Sequence, residues 1–406
     1  MGQITVAPGN GGTEWSAAPG RAPSANLPIA AEDVAGLVAY AQSERPDLTV
    51  IGPEVPLALG IVDALHAAGL RVFGPTRAAA QLEASKAFSK AFMGRHDIPT
   101  AEYGAFTEYE AARDFVEQMG KPVVIKADGL AAGKGVIVCD DAEEADAALR
   151  RIMQAREFGA AGDRVIVEER LTGAEVSALA FSDGIHVAMM PPARDHKRVF
   201  DRDRGANTGG MGAYAPVPDL PPGFTDTVRQ SVIEPAVRGM AAEGAPYVGV
   251  LYAGLMLTPD GVRVLEFNCR FGDPETQALL PLLDDDLAQI MLACIDGRLD
   301  QHPPRWHTGA CATVVAAAPG YPGSYPKGLP IRGLDEAGDE VIVFHAGTAK
   351  GDAGVVTSGG RVLSVSARAE TLPAALGKAY ARIERIGFEG MHYRHDIGRI
   401  YEGMTR

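Results

Sequence analysis

The sequence has few cysteines, no long uninterrupted apolar run and fewer basic than acidic residues. Its four cysteines are scattered and form no CxxC pair, which excludes a disulfide framework and a zinc site. Lys and Arg number 38 against 52 Asp and Glu, so the formal net charge is −14. This balance argues against a general nucleic-acid or membrane-surface binder, and the free thiols favour a reducing compartment.

Targeting and membrane signals are also missing. The chain does not open with a basic region followed by an apolar run, so no signal peptide is predicted. The long uncharged stretches Ala245–Pro259 and Thr308–Pro326 are interrupted by Gly and Pro and are too weakly apolar to span a bilayer. We therefore expect a cytoplasmic protein that binds neither membranes nor nucleic acids.

The composition is that of a globular protein. The 406 residues are 46% apolar and 22% charged, which excludes wholesale disorder and a coiled coil. A chain of this length has room for about two or three domains.

The first 82 residues alternate short apolar runs with a helical period. Ile4–Ala7, Leu48–Gly52 and Val72–Gly74 are predicted strands, and residues 34–41 carry apolar side chains at helical spacing. Strands that alternate with helices predict parallel pairing. Gly9–Asn26, rich in Gly, Pro, Ala and Ser, is predicted to be a long loop.

The next section predicts a helix over about Leu82 to His96 and then a βαβ-like unit over about 102–170. That unit consists of the strands Pro122–Ala127, Gly135–Cys139 and Arg164–Glu169 and the helix Asp141–Phe158. Asp141, three residues before Glu144, is a capping-box-like helix start.

Two hairpins follow, with turns at Asp183-Gly184 and at Pro259-Asp260-Gly261. Their predicted strands are Glu175–Ser182, Ile185–Met190, Tyr247–Leu257 and Val262–Asn268. From about Trp306 the pattern indicates a separate small α/β module, with strands Cys311–Ala316, Val341–His345 and Arg361–Ser366 and helix Leu372–Ile386.

A glycine-rich loop follows the predicted strand Pro122–Ala127, and this segment carries two lysines. Lys126 lies on the strand, and the loop ends in Gly133-Lys134-Gly135 before the next strand. Glycines let backbone N–H groups approach a phosphate, and lysines neutralise its oxygens. The segment is not a Walker A loop, because Gly135 replaces the required Ser or Thr and a strand follows. The alternative is an exposed hairpin with two surface lysines.

The strand Val262–Asn268 carries a second group of polar residues. Alternation places Glu266, Asn268 and Arg270 on one face. A carboxylate and an amide oxygen suit Mg²⁺, which retains its substrate phosphates, and a guanidinium binds a carboxylate or phosphate by two hydrogen bonds. The alternative is an ordinary exposed strand face, but the acidic GDPET turn that follows favours a site.

Two further segments carry weaker signals. Asp195-His196-Lys197-Arg198 opens a charge-dense loop that ends in small residues, a composition that can order over an anionic substrate. We assign His196 no catalytic role. Val165–Leu171 is an apolar strand that ends in acids, so it could offer backbone groups to adenine and a carboxylate to a ribose.

These segments, in this order, resemble the phosphoribosylamine–glycine ligase family of ATP-grasp enzymes. The similarity extends over nearly the whole chain from Ile4 onward and includes GPEVPL, FGPT, EASKAF, IKADGLAAGKGVIV, DHKR, NTGGMGAY, LYAGLM, EFNCRFGDPETQ, GYPG, FHAGT and HDIG. The implied fold is α/β, with a Rossmann-like N-terminal domain over 1–82, an ATP-grasp domain over 83–306 and a small C-terminal domain over 307–406. The ATP-grasp domain would contain a mobile lid at about 102–170, and we expect a monomer.

The resemblance also implies roles for individual residues. Those expected to contact ATP phosphates are Lys86, Lys126, Gly129, Gly133, Lys134 and Gly135. Those expected to contact adenine and ribose are Glu168, Leu171 and Glu175. Glu266 and Asn268 match the family's Mg²⁺ or Mn²⁺ ligands. The residues expected to line the pocket for glycine and 5-phosphoribosylamine are Glu54, Gly210 and Asp273, with Asp195, Lys197 and Arg270 as catalytic residues.

The implied reaction joins glycine to 5-phosphoribosylamine with ATP in purine synthesis, through glycyl phosphate. Family members begin with a strand and a glycine-rich loop ahead of the equivalent of Ile4, so the first βα unit is expected to be missing. Either the start codon is placed too late, or the chain is truncated and impaired for its second substrate. Two alternatives stay open. One is another ATP-grasp ligase or carboxylase, and the other, which follows from the missing unit, is an inactive ATP-binding module.

Overall fold

The first eighty residues form two pairs of parallel strands with helices between them. The computed structural model describes residues 2–130, 135–334, 340–352 and 354–399. The elements of this region are β1 (Ile4–Val6), β2 (Ser24–Asn26), α1 (Val34–Glu44), β3 (Thr49–Val50), α2 (Glu54–Leu59), α3 (Ile61–Ala67), β4 (Val72–Phe73) and α4 (Gln81–Ala84). β3 pairs with β4 in parallel, as predicted, and β1 pairs in parallel with β2, a strand that was not predicted. The predicted loop Gly9–Asn26 is wrong at its end, because residues 24–26 form β2 beside β1.

The predicted helix 82–96 is broken in two. α4 ends at Ala84, and a second helix, α5, runs over Lys86–Arg95. Ser85 between them is extended (φ −132°, ψ 113°), and its hydroxyl accepts a hydrogen bond from the Phe88 N–H. A serine N-cap of this kind satisfies a free amide of the new helix. Lys86 consequently lies in the first turn of α5.

The region predicted to form a lid contains a four-stranded antiparallel sheet and two α-helices. Its elements are β5 (Tyr103–Phe106), α6 (Tyr109–Met119), β6 (Val123–Ala127), β7 (Val136–Cys139), α7 (Ala142–Leu149) and β8 (Val165–Glu169). The strand order is β5-β8-β6-β7. The prediction of a βαβ-like unit is wrong for the neighbours in the sheet, because β6 lies between β7 and β8 and is antiparallel to both. α7 has the predicted cap, since Asp141 accepts from the Glu144 N–H, but it ends at Leu149 rather than Phe158.

A second antiparallel sheet lies in the middle of the chain and contains both predicted hairpins. It consists of β9 (Ala174–Asp183), β10 (Val187–Met189), β15 (Val248–Thr258) and β16 (Gly261–Asn268). The strand order is β10-β9-β15-β16. Between β10 and β15 the chain forms β11 (Arg194–Asp195), β12 (Arg198–Phe200), β13 (Arg204–Asn207), β14 (Gly212–Ala215), α8 (Phe224–Val228) and α9 (Glu234–Ala242). After β16 come α10 (Glu275–Leu279) and α11 (Leu287–Ile295).

The C-terminal region adds a five-stranded sheet that it shares with the middle of the chain. Its own elements are β17 (Ala310–Ala317), β18 (Val341–His345), β19 (Thr348–Gly351), β20 (Gly354–Thr357), β21 (Arg361–Ala369) and α12 (Leu372–Ile383). The sheet order is β11-β14-β17-β21-β18. β17, β18 and β21 were predicted at these positions, whereas β19 and β20 were not. The module shares its sheet with the middle of the chain, because β11 and β14 extend it.

Buried apolar side chains hold these parts together. Ile125, Leu149 and Val167 form part of a lid core between its sheet and helices. A larger core includes Phe92 of α5, Leu251 of β15 and Ala312 of β17, and so joins three regions of the chain. Within the part of the chain that the structure describes, no helix is both long and apolar enough to cross a bilayer.

Candidate active site

Two predicted phosphate-binding lysines meet where the lid approaches β16. The Lys86 Nζ donates a hydrogen bond to the Gly129 carbonyl at 2.8 Å, and the Lys126 Nζ donates to the Leu265 carbonyl at 3.1 Å. Burial lowers the pKa of Lys86 from its ordinary value, although the Glu266 carboxylate opposes this. The Gly135 carbonyl accepts a hydrogen bond from the Ala127 N–H, which joins the end of β6 to the start of β7.

Gly133 and Lys134 lie outside the described residues, so their predicted contacts with ATP stay predictions.

A buried carboxylate lies between Lys126 and a third lysine. The two Glu168 oxygens form salt bridges with the ammonium groups of Lys126 and Lys90, and all three side chains are at most 8% exposed. Burial lowers the pKa of Lys90 to about 8. Burial also disfavours the charged form of Glu168, but the two ammonium groups still hold the pKa of Glu168 below its ordinary value.

The sequence analysis did not identify Lys90. Its spacing from Lys86 is the signal that could have found it. It follows Lys86 by four residues on α5, so both side chains project from one face of the helix. Lys90 and Lys126 pair with the buried Glu168, and Lys86 lies near enough to Lys126 for their charges to interact. This excess of positive charge suits an anionic ligand such as a nucleotide phosphate.

Glu266, Asn268 and Arg270 lie together at the end of β16, as the alternation predicted. The Asn268 Oδ1 accepts a hydrogen bond from the Arg270 Nη2 at 3.2 Å. Gly254 of β15 lies opposite Glu266, and a Cβ at that glycine would come within 3.4 Å of the Glu266 Cγ. The half-buried carboxylate and amide oxygens are the donors that Mg²⁺ prefers. The residues present therefore fit a hard divalent cation.

Two carboxylates hold the Arg270 guanidinium. Glu83 Oε1 lies 3.1 Å from its Nη2, and Glu54 Oε2 lies 3.6 Å from its Nε. The other Glu83 oxygen accepts from the Cys269 N–H at 2.6 Å. Burial raises the pKa of Glu83 to about 7. Glu54 thus lies beside Arg270, and Glu83 is a further residue of this cluster for which its motif gave no role.

Asp195 and Lys197 form a third cluster with Glu175. The Lys197 Nζ lies 2.5 Å from a Glu175 oxygen and 3.4 Å from a carboxylate oxygen of Asp195, whose side chain is 7% exposed. Burial raises the pKa of Asp195 to about 7. Burial has the opposite effect on Lys197, yet the Asp195 and Glu175 carboxylates raise the pKa of Lys197 well above its usual value. The structure thus groups Glu175 with the predicted catalytic residues.

The other two predicted adenine and ribose contacts are Glu168 and Leu171. Glu168 points between two lysines, and Leu171 lies just after β8, half-buried. Their contacts with a nucleotide stay predictions.

A buried hydrogen-bond network lies between this cluster and the face of β16 that carries Asn268. The Glu275 Oε1 accepts from the Tyr252 hydroxyl at 2.7 Å and from the Ser177 hydroxyl at 2.9 Å. Tyr252 lies opposite Asn268 in the β15–β16 pairing. Glu275 raises the pKa of the buried Asp195 further. Sequence analysis missed this network, because it joins residues that are up to 98 positions apart.

Gly210 and Asp273 lie at the edge of the site, against the C-terminal region. Gly210 has φ +111°, and a Cβ at this position would lie 2.3 Å from the Pro274 Cδ. Arg361, at the start of β21, forms a salt bridge with Asp273 at 2.8 Å. These two predicted substrate-binding residues are therefore neighbours in space, although 63 positions separate them in the sequence.

Comparison with known proteins assigns this arrangement to a family. The phosphoribosylglycinamide synthetase N domain matches residues 1–83, the ATP-grasp (A) domain 84–276 and the C domain 311–400. The chain belongs to the phosphoribosylglycinamide synthetase family. A phosphoribosylamine–glycine ligase of Vibrio vulnificus (strain CMCP6) is 51% identical over 405 residues, which are 99% of this chain and 93% of that protein.

A longer relative contains the same three-domain unit. The trifunctional purine biosynthetic protein adenosine-3 of Gallus gallus is 53% identical over 399 residues. These are 98% of this chain but 39% of the chicken protein, so the chain spans well under half of that relative.

Solved structures confirm the predicted ATP-grasp fold. The crystal structure of phosphoribosylamine–glycine ligase from Thermotoga maritima matches with a TM-score of 0.82 and 35% identity, covering 93% of this chain and 90% of that chain. A biotin carboxylase from Campylobacter jejuni matches with a TM-score of 0.72 and 16% identity, over 89% of this chain and 79% of that chain. The second similarity shows the fold alone.

Proposed function

We propose that this protein ligates glycine to 5-phosphoribosylamine with ATP, giving glycinamide ribonucleotide, ADP and phosphate. The observation that carries the proposal is the alignment of phosphoribosylamine–glycine ligases at about half identity over nearly the whole chain. The clusters of lysines, oxygen ligands and Arg270 supply the charges that such a reaction needs. This reaction is a step of purine synthesis.

ATP binds with its phosphates at the three ammonium groups of Lys86, Lys90 and Lys126. The Gly129–Gly135 loop closes over the phosphates, and the end of β8 together with Leu171 receives the adenine and ribose. Phosphoryl transfer depends mainly on positioning and charge neutralisation, which these lysines provide.

Glu266 and Asn268 would hold Mg²⁺ or Mn²⁺ through their side-chain oxygens. When bound, the cation neutralises charge on the transferred phosphoryl group. The support for this role is the pair of half-buried oxygen ligands, Glu266 and Asn268, on one face of β16.

The glycine carboxylate lies at Arg270, where the guanidinium orients it. One carboxylate oxygen attacks the γ-phosphorus of ATP, the bond to ADP breaks, and glycyl phosphate forms. The phosphoribosylamine nitrogen then attacks the acyl carbon, loses a proton and displaces phosphate. Asp195, whose pKa burial raises to about 7, is suited to accept that proton, and Lys197 fixes its position. Glu54, Gly210 and Asp273 line the pocket.

Incubation of the purified chain with Mg-ATP, glycine and freshly prepared 5-phosphoribosylamine tests this function. We expect release of phosphate and formation of glycinamide ribonucleotide in equal amounts, measured by a phosphate assay and mass spectrometry. Alanine and bicarbonate, used in place of glycine, serve as controls. Phosphate release with bicarbonate alone would indicate a carboxylase, and Mg-ATP binding without product would indicate an inactive module.

A further inference from the structure

Arg361 of the C-terminal region reaches into two loops of the candidate active site. Its Nη1 donates to the Gly209 carbonyl at 2.7 Å and to the Asp273 carbonyl at 3.1 Å. Its Nη2 donates to the Asp273 carboxylate at 2.8 Å. One planar guanidinium therefore ties the turn before β14 to the turn before α10, and its side chain is 20% exposed.

The two loops are shaped to receive this side chain. A Cβ at Gly209 would lie 2.8 Å from the Arg361 Cζ, so any larger residue there would displace the guanidinium. A Cβ at Gly210 would collide with Pro274, the residue after Asp273. The close approach of the two turns thus requires glycine at position 210, whereas a side chain at position 209 would compete with the Arg361 guanidinium for the same space.

A second side chain of the C-terminal region holds the same turn. The Tyr321 hydroxyl accepts a hydrogen bond from the Gly209 N–H at 3.1 Å. Gly360, next to Arg361, leaves room for the Tyr321 ring, since a Cβ there would lie 2.3 Å from its Cδ2. The Gly209 peptide is therefore fixed at its N–H by Tyr321 and at its carbonyl by Arg361.

We propose that Arg361 is a positioning residue, which sets Gly210 and Asp273 for the amino-acid and amine substrates but does not act on ATP. This rests on the proposed function, because Gly210 and Asp273 matter only if they line the substrate pocket. The phosphate-binding lysines lie on α5 and the lid, and none of them is among the hydrogen-bond partners of Arg361. Loss of the guanidinium therefore lowers kcat/KM for glycine and for 5-phosphoribosylamine without weakening the binding of ATP.

Arg361→Lys keeps the charge but removes the two-nitrogen geometry. We expect kcat/KM for glycine and for 5-phosphoribosylamine to fall about 10- to 100-fold, since a displacement of about 1 Å has effects of that order. The Kd for Mg-ATP, measured by calorimetry, should stay within about 2-fold, as the lysines that bind phosphates are untouched. Arg368→Lys is the matched control, because Arg368 is exposed on the same strand and makes one long hydrogen bond, to Pro281.

Tyr321→Phe provides a second, milder variant. It removes only the acceptor of the Gly209 N–H. We therefore expect a smaller fall in kcat/KM for glycine and for 5-phosphoribosylamine, with an unchanged melting temperature. In a double-mutant cycle, Arg361→Lys and Asp273→Asn should be non-additive, because both variants weaken the same contact between the guanidinium and the Asp273 carboxylate.

Equal losses in Mg-ATP binding and in glycine use by Arg361→Lys would overturn the proposal and indicate general damage to the fold. Normal kcat/KM values in both variants would overturn it as well. Lack of ligase activity in the unmodified chain would instead refute the proposed function, and this inference with it.

Discussion

The oxygen atoms of Glu266 and Asn268 are the two protein ligands assigned to the cation, and this gives the first prediction. Glu266→Ala or Asn268→Ala should lower turnover at low Mg²⁺ by about 10- to 100-fold, because each removes one ligand. The melting temperature should change little, since both side chains are half-buried at a strand end. Steady-state rates over a Mg²⁺ titration give the measurement.

Arg263→Ala is the control for these variants, because Arg263 lies on β16 three residues before Glu266. Its steady-state rates should depend on the Mg²⁺ concentration like those of the unmodified protein. Near-normal rates of either ligand variant at low Mg²⁺ would show that the cation is held elsewhere.

His196 gives the second prediction at the residue scale, and it concerns stability. This side chain is 4% exposed, and its Nε2 accepts from the Gly398 N–H at 3.3 Å. Burial, together with the Arg394 charge, lowers the pKa of His196 to about 4, although Asp203 and Asp396 oppose this. Between about pH 6.5 and 4 the unfolded chain therefore binds a proton that the folded chain does not.

The free energy of unfolding should therefore fall as the pH drops through this window, by at most about 3 kcal/mol from His196. Urea denaturation at pH 7 and at pH 4.5 measures the difference. In His196→Asn the fall should be smaller by that amount, whereas it should be unchanged in the exposed-residue control His302→Asn. An identical pH dependence in His196→Asn would mean that this histidine is charged in the folded protein.

At the scale of single elements, strand β8 ends in two glutamates with different surroundings. Glu168 is buried between Lys90 and Lys126, whereas Glu169 pairs with Lys121 at the surface. Glu168→Gln should lower the free energy of unfolding by about 3–5 kcal/mol, since two buried ammonium groups lose their counter-charge. Glu169→Gln should change it by less than about 1 kcal/mol. Chemical denaturation of both variants without nucleotide measures this, and equal effects would argue against a buried ion cluster.

The sequence predicted elements well wherever the signal is local. The hairpin turn at Asp183-Gly184 was identifiable because the Asp183 carboxylate accepts the N–H groups of Ile185 and His186, within three residues. Alternation on β16 likewise predicted the contact between Asn268 and Arg270.

Pairings between distant segments could not be predicted in this way. The position of β6 between β7 and β8 depends on which strands meet after the chain has folded, and no residue of the glycine loop specifies it. Glu275 on α10 meets Ser177 on β9 only in the folded chain, and Lys90 meets its partner Glu168 in the same way. Buried polar networks of this kind are long-range, so Ser177, Glu275 and Lys90 were assigned no role.

At the scale of the whole molecule, Arg394 joins the C-terminal region to the loop that follows Asp195. Its guanidinium, which is fully buried, forms salt bridges with Asp396 at 2.7 Å and with Asp203 at 2.5 Å. The Asp396 carboxylate also accepts from the Arg202 N–H at 2.7 Å. These contacts fix the segment between β12 and β13 against the C-terminal residues.

Arg394→Met should lower the free energy of unfolding by about 3–5 kcal/mol, because it removes the cation from the buried Asp396 and the half-buried Asp203. Hydrogen–deuterium exchange over residues 198–205 should become faster, while Mg-ATP affinity should be unchanged. Arg298→Met, which removes a surface pair with Asp296, is the control and should have an effect below about 1 kcal/mol. Unaltered exchange in the 198–205 segment would show that the loop keeps its conformation without this contact.

The sheet order β11-β14-β17-β21-β18 also bears on how the protein can be divided. A cut near residue 310 would separate β17 from β14, whose four paired positions run from Gly212↔Val314 to Ala215↔Cys311. The excised fragment would carry an unpaired β17 edge, which is prone to associate with other chains. Split-protein reporters and domain swaps with relatives therefore need β11 and β14 to travel with the C-terminal strands.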